Sequence, residues 1–129
     1  MRNIVVTIFM SIAFWVNAEI QFDIFATYPF LISTGQSGEI TSNDMIAKLD
    51  GNKLYINGNI YTLYDKKTDH DGFLHFETYD AYDKYDQKCF VGFITNDAAS
   101  TWASKYQIII KYEGIDKAMV FLYKESKTK

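Results

Sequence analysis

Between Met45 and Tyr64 apolar and polar residues largely alternate, and the alternation is punctuated twice, by Asp50-Gly51 and by Asn57-Gly58. A period of two is the pattern of a strand with one buried face, and Asp-Gly and Asn-Gly tolerate the positive φ that two-residue hairpin turns demand. The stretch predicts three antiparallel strands in a meander. Pairing across Asp50-Gly51 sets Leu49 opposite Asn52 and Ala47 opposite Leu54, while pairing across Asn57-Gly58 sets Leu54 opposite Tyr61 and Ile56 opposite Asn59. Both turns then put Met45, Ala47, Leu49, Leu54, Ile56, Tyr61 and Leu63 on one face, and Lys48, Lys53, Thr62 and Tyr64 on the other.

The same reading extends in both directions. Ile20 to Phe25 alternates Ile20, Phe22 and Ile24 against Gln21 and Asp23, and Phe30 to Ser33 is a further short strand. Phe73–Tyr79, Cys89–Thr95, Tyr106–Tyr112 and Lys117–Tyr123 are rich in β-branched and aromatic residues and are separated by Gly, Asp and Asn clusters. The single helical signal is NDAASTWASKY, in which Asn96 or Asp97 caps a turn or two that brings Ala98, Ala99, Trp102 and Tyr106 to one side. The fold class expected is therefore all-β, an antiparallel meander of about seven to nine short strands with one short helix. A barrel and a two-sheet sandwich both satisfy the pattern.

Ahead of these strands lies MRNIVVTIFMSIAFWVNAEI, with Arg2 as the one early cation, an uncharged and mostly apolar run from Ile4 to Val16, and Val16-Asn17-Ala18 at the cleavage position. This is the pattern of a secretory signal peptide, residues 1–18, followed by one β domain, residues 19–129. Thirteen residues of helix rise about 20 Å, short of a hydrocarbon core of ~30 Å, so no membrane span is expected after processing. Residue 19 is glutamate and no cysteine is near it, so there is no lipoprotein acceptor. The expected destination is a bacterial periplasm or the cell exterior.

Removal of residues 1–18 leaves twelve lysines against sixteen acidic groups, a formal charge of −4. The lysines are scattered and form no basic stripe, so nucleic acid is not an expected partner. Cys89 is the only cysteine, so no internal disulfide is available and the core must come from the aromatic residues, 17% of the chain.

Catalytic chemistry needs convergent groups, and few are present. There are two histidines, and no His-x-x-x-His, Gly-x-Ser-x-Gly, paired Cys-x-x-Cys or phosphate-cradling glycine loop. A nucleophilic pair of Cys89 with His75 is conceivable, but Cys89 is flanked by Phe90 and Val91 and reads as core. Asp65, Asp69 and Asp71 precede Gly72 in a polar turn without the Asp-x-Asp-x-Asp-Gly spacing or the bidentate glutamate of a calcium loop. No metal site and no cofactor is expected.

The motif that remains is YDAYDKYDQKCF, in which tyrosine and aspartate stand side by side three times at three-residue intervals. On a helical turn Tyr79, Tyr82 and Tyr85 would share one stripe, with Asp80, Asp83 and Asp86 beside it; on a strand the same spacing alternates faces and builds no patch. Rigid aromatic area beside carboxylates is the composition of a binding rim. Its bland alternative is a solvated connection. The functional expectation is a small non-catalytic binding protein, foremost an inhibitor or immunity-type partner of another exported protein. A carrier holding a small apolar or sugar ligand in an aromatic-lined barrel is the alternative, and a hydrolase using Cys89 or a carboxylate pair is the third.

Overall fold

Asn57 and Gly58 both take positive φ, 51° and 78°, and join Ile56 to Asn59 in a tight hairpin. Around that turn the computed structural model, which describes residues 19–98 and 105–124, is built entirely of antiparallel strands. They are β1 (Glu19–Leu31), β2 (Gln36–Ser37), β3 (Thr41–Asp50), β4 (Lys53–Ile56), β5 (Asn59–Asp71), β6 (Leu74–Tyr82), β7 (Lys88–Asn96), β8 (Tyr106–Tyr112) and β9 (Lys117–Lys124). From β3 onward each strand pairs with the next, and β1 pairs with both β3 and β9. Eight strands therefore close into a barrel, with β2 as a short addition on the end of β1.

Closure is the work of β1. Residues Glu19 to Thr27 pair with β3, while Asp23 to Leu31 pair with β9. Between Ile24 and Ala26 the register shifts on both sides, a β-bulge centred on Phe25. A bulge inserts one residue and so reverses which face the following side chains occupy. Phe22 and Ile24 point into the barrel, whereas Ala26 joins Val120 and Leu122 in a small cluster on the outer surface, packed by Phe25, Tyr28, Phe30 and Ile109.

Eight strands enclose a space that side chains can fill. Leu54, Val91, Ile108 and Cys89 are fully buried at its middle, with the small side chains of Ala47 and Ala81 beside them. Each large aliphatic side chain so buried stabilises the fold by roughly 1.5–3 kcal/mol.

The inward set predicted for the meander is the one observed. Its first register is not. Leu49 lies opposite Leu54 and Asp50 opposite Lys53, so the turn is Gly51-Asn52 rather than Asp50-Gly51. Gly51 carries the positive φ of 63° as the first central residue, the type II′ position. The reason lies across the sheet: the Leu63 N–H donates to the Asn52 carbonyl at 2.7 Å and the Asn52 side chain donates to the Leu63 carbonyl at 3.3 Å, holding Asn52 in the turn. Moving the turn by one residue shifts both strands together, which leaves every side chain on its original face.

Other expectations change more. Phe30 and Leu31 are the end of β1 rather than a strand of their own, because the bulge lets one strand serve two neighbours. The polar stretch Asp65–Asp71 is not a turn but the outer half of β5, paired with β6 and bulged at Asp65, whose φ is 55°. No helix occurs among the described residues. The helix expected over Asn96–Tyr106 falls mostly on residues 99–104, outside those described; of its edges, Tyr106 opens β8, and Asn96 ends β7 while its side chain accepts the N–H of Ala98 at 3.1 Å.

Candidate functional site

The three tyrosine-aspartate pairs are divided by the fold rather than gathered. Tyr79 to Tyr82 lie in β6, so their side chains alternate. Tyr79 faces inward, half-buried, with its ring edge against Phe93 and its hydroxyl donating to Glu77 at 3.3 Å. Asp80 and Tyr82 face out. Tyr85 and Asp86 sit on the following turn, exposed, with Asp86 at a φ of 63°.

Asp83 has a different surrounding from the other five. It is 6% exposed, and its Oδ1 accepts the N–H groups of Tyr85 and Gln87, each at 2.9 Å. Its Oδ2 accepts the Tyr112 hydroxyl at 2.8 Å, and the Tyr112 and Tyr61 hydroxyls lie 3.4 Å apart. Burial works against the carboxylate, but the N–H of Gln87, the Tyr112 hydroxyl, the N–H of Tyr85 and nearby Lys84 outweigh it and hold the pKa below the usual value. Tyr112 is pushed the other way, by burial first and then by its bonds to Tyr61 and to the ionised Asp83. This network ties the β6–β7 turn to β5 and β8 and closes one end of the barrel.

On the outside of the sheet the register assembles a different group. Tyr64 and Phe90 flank Asp80 on β5 and β7, and Tyr82 lies opposite Thr62 and Lys88. Tyr64 and Tyr82 stack with ring centroids 5.5 Å apart and planes inclined by 22°. Phe90 is 40% exposed, with the Lys88 ammonium 5.9 Å from its ring centre. Of the six residues singled out in the sequence, Asp80 and Tyr82 belong to this face, Tyr85 and Asp86 lie on the adjoining turn, and Tyr79 and Asp83 are turned away from it. Tyr64 and Phe90 were missed. Their signal was present in Tyr64, an aromatic residue on the polar side of the predicted meander.

The opposite end of the barrel is a cup. Phe22, Phe93 and Tyr123 wall a cavity of about 230 Å³, with His75, Glu77 and Thr95 at its polar side. Phe22 contacts both other rings, at 4.9 Å from Tyr123 and 5.8 Å from Phe93. The His75 imidazole lies 2.8 Å from the Asp97 carboxylate. A wider hollow of about 600 Å³ on the outside of the meander, around Ile46, Tyr55 and Ile60, is open to solvent.

Cys89 is fully buried, and its thiol is pushed up to about 11 by burial, with the charge of Asp83 adding to it. It pairs with Ala81, whereas His75 pairs with Thr95. Six residues of strand separate the two positions, roughly 20 Å at ~3.3 Å per residue. They do not form a nucleophile-base pair. No family model matches the chain, and neither a curated protein nor a solved structure was found to be significantly similar to it.

Proposed function

We propose that the chain is a non-catalytic binding protein, exported from the cell, that engages another exported protein through the outer face of β5, β6 and β7. The observation that carries this reading is the stacked Tyr64–Tyr82 pair with Phe90 beside it, Tyr82 and Phe90 exposed and Tyr64 half-buried, all three on strands rather than on a loop. Aromatic side chains with few rotors lose little entropy on docking and supply most of the energy of many protein interfaces. Asp80 at the centre of the face and Asp86 on the turn add negative charge, suited to a partner with a basic patch. The middle of the barrel is filled, which favours binding on its surface over storage within it. Inhibition or neutralisation of the partner is the role that fits a small acidic protein of this kind.

The test begins with a partner captured from the periplasmic or culture fraction and continues with purified components. Tyr82→Ala combined with Phe90→Ala is expected to weaken binding about thirty-fold, chiefly through faster dissociation, for a loss of ~2 kcal/mol. Asp80→Asn with Asp86→Asn should slow association and flatten its salt dependence; Asp83 is left intact because it holds the turn together. Unchanged kinetics in both variants, with circular dichroism like the parent, would remove this face from the function.

A further inference from the structure

The cup at the other end of the barrel has a composition that selects one chemistry. Its walls are apolar, from Ile20 and Leu49 on one side to Phe93 and Tyr123 on the other, and Glu77 is the one carboxylate among its lining residues. Two groups already contact that carboxylate, the Tyr79 hydroxyl at 3.3 Å and the Lys66 ammonium at 3.6 Å. Both contact Oε1, and the Glu77 side chain is itself 49% exposed. The charge reaches inward: Tyr123 is pushed up to about 12 by burial, then by Tyr106 and by Glu77. His75, the other ionisable group on the cup besides Tyr123, is held against Asp97.

We propose that this cup is a site for an alkylammonium group, its carbon chain against Phe22, Phe93 and Tyr123 and its nitrogen beside Glu77. An anion would meet the field of Glu77, and a wholly apolar ligand would strip water from the carboxylate without replacing it. An ammonium satisfies the carboxylate and is attracted by aromatic rings as well. The chain supplies its own precedent in Lys66, whose half-exposed side chain a ligand can displace. At about 230 Å³ the cavity lies below the ~300 Å³ at which drug-sized ligands begin, so a single unbranched chain is the right scale. Free aliphatic amines and the side chain of a peptide lysine share this chemistry. The site is at the opposite end of β6 from Tyr82 and stands or falls independently of the partner face.

Purified 15N-labelled protein titrated with n-hexylammonium chloride, sodium hexanoate or hexan-1-ol at constant ionic strength tests the proposal. The amine should give saturable shifts at the amides of Phe22, Glu77, Phe93 and Tyr123, and hexanoate should bind at least about five-fold more weakly. Glu77→Gln should weaken the amine about five-fold while leaving hexan-1-ol unchanged. Lys66→Ala should strengthen the amine by removing the internal competitor. N-acetyl-lysine methylamide separates the two sources: binding comparable to hexylamine assigns the site to peptide lysine, and markedly weaker binding assigns it to free amines. Equal binding of hexanoate, an unaltered amine affinity in Glu77→Gln, or shifts that do not saturate or fall elsewhere would overturn the assignment.

Discussion

At the scale of single residues, Asp83 shows how a carboxylate that looks like part of a binding rim becomes a structural part. Two backbone N–H groups and one hydroxyl converge on it in a site that is 6% exposed. Asp83→Ala leaves those donors buried without an acceptor, and is expected to cost about 1–3 kcal/mol in urea denaturation at pH 7. The pH dependence has a definite sign. Because the folded pKa is depressed below the unfolded value of ~3.9, the contribution is fully present above that value and is lost as the pH falls through the lower folded one. The difference in urea midpoint between parent and Asp83→Ala should therefore narrow from pH 6 to pH 3; a difference that holds constant would show that ionisation of Asp83 contributes nothing. Cys89 is the second case. Buried and held protonated by a pKa of about 11, it should not react with Ellman's reagent in the native protein and should react fully in denaturant. Rapid labelling of the folded protein would contradict its placement in the core.

At the scale of elements, β1 carries the most information. Its bulge lets thirteen residues pair with β3 along one half and β9 along the other, and changes the inward face on the way. Two deletions should therefore differ in a way that composition would not suggest. Removing Phe25 joins inward Ile24 directly to outward Ala26, so the alternation survives even though a large side chain is lost. Removing Asp23, an exposed residue, turns Phe22 and Ile20 out of the barrel. Asp23 deletion is expected to be the more destabilising of the two, since burial of a phenylalanine alone is worth roughly 1.5–3 kcal/mol. Thermal melts followed by circular dichroism compare them, and a lower melting temperature for the Phe25 deletion would refute the assignment of faces.

At the scale of the whole molecule, the barrel closes only when the first strand meets the last, so without β1 the outer edges of β3 and β9 have no strand partner. Glu19 is already in β1, paired opposite Asp50, with its carboxylate 3.7 Å from the Lys48 ammonium. Cleavage after Ala18 would leave β1 as described, Glu19–Leu31, intact. The expectation is a mature protein that begins at Glu19, read by mass spectrometry of the protein recovered from the periplasm or the medium. A chain that retains Met1 and fractionates with membranes would count against export in this form.

The order and kind of the strands were legible in the sequence, because a period of two and paired turn residues are local properties that survive in any fold. The inward face of the meander was legible for the same reason: parity does not depend on which residue heads the turn. Three matters were decided by the tertiary structure. Barrel or sandwich depended on whether β1 reached β9, which the bulge at Phe25 makes possible and no local pattern announces. The Gly51-Asn52 turn was selected by Leu63, eleven residues beyond Asn52, through bonds that only the assembled sheet supplies. The tyrosine-aspartate run was read as one motif because its members are neighbours along the chain. The fold groups by register across strands instead, so Tyr82 came to lie with Tyr64 and Phe90, while Asp83 went to Tyr112.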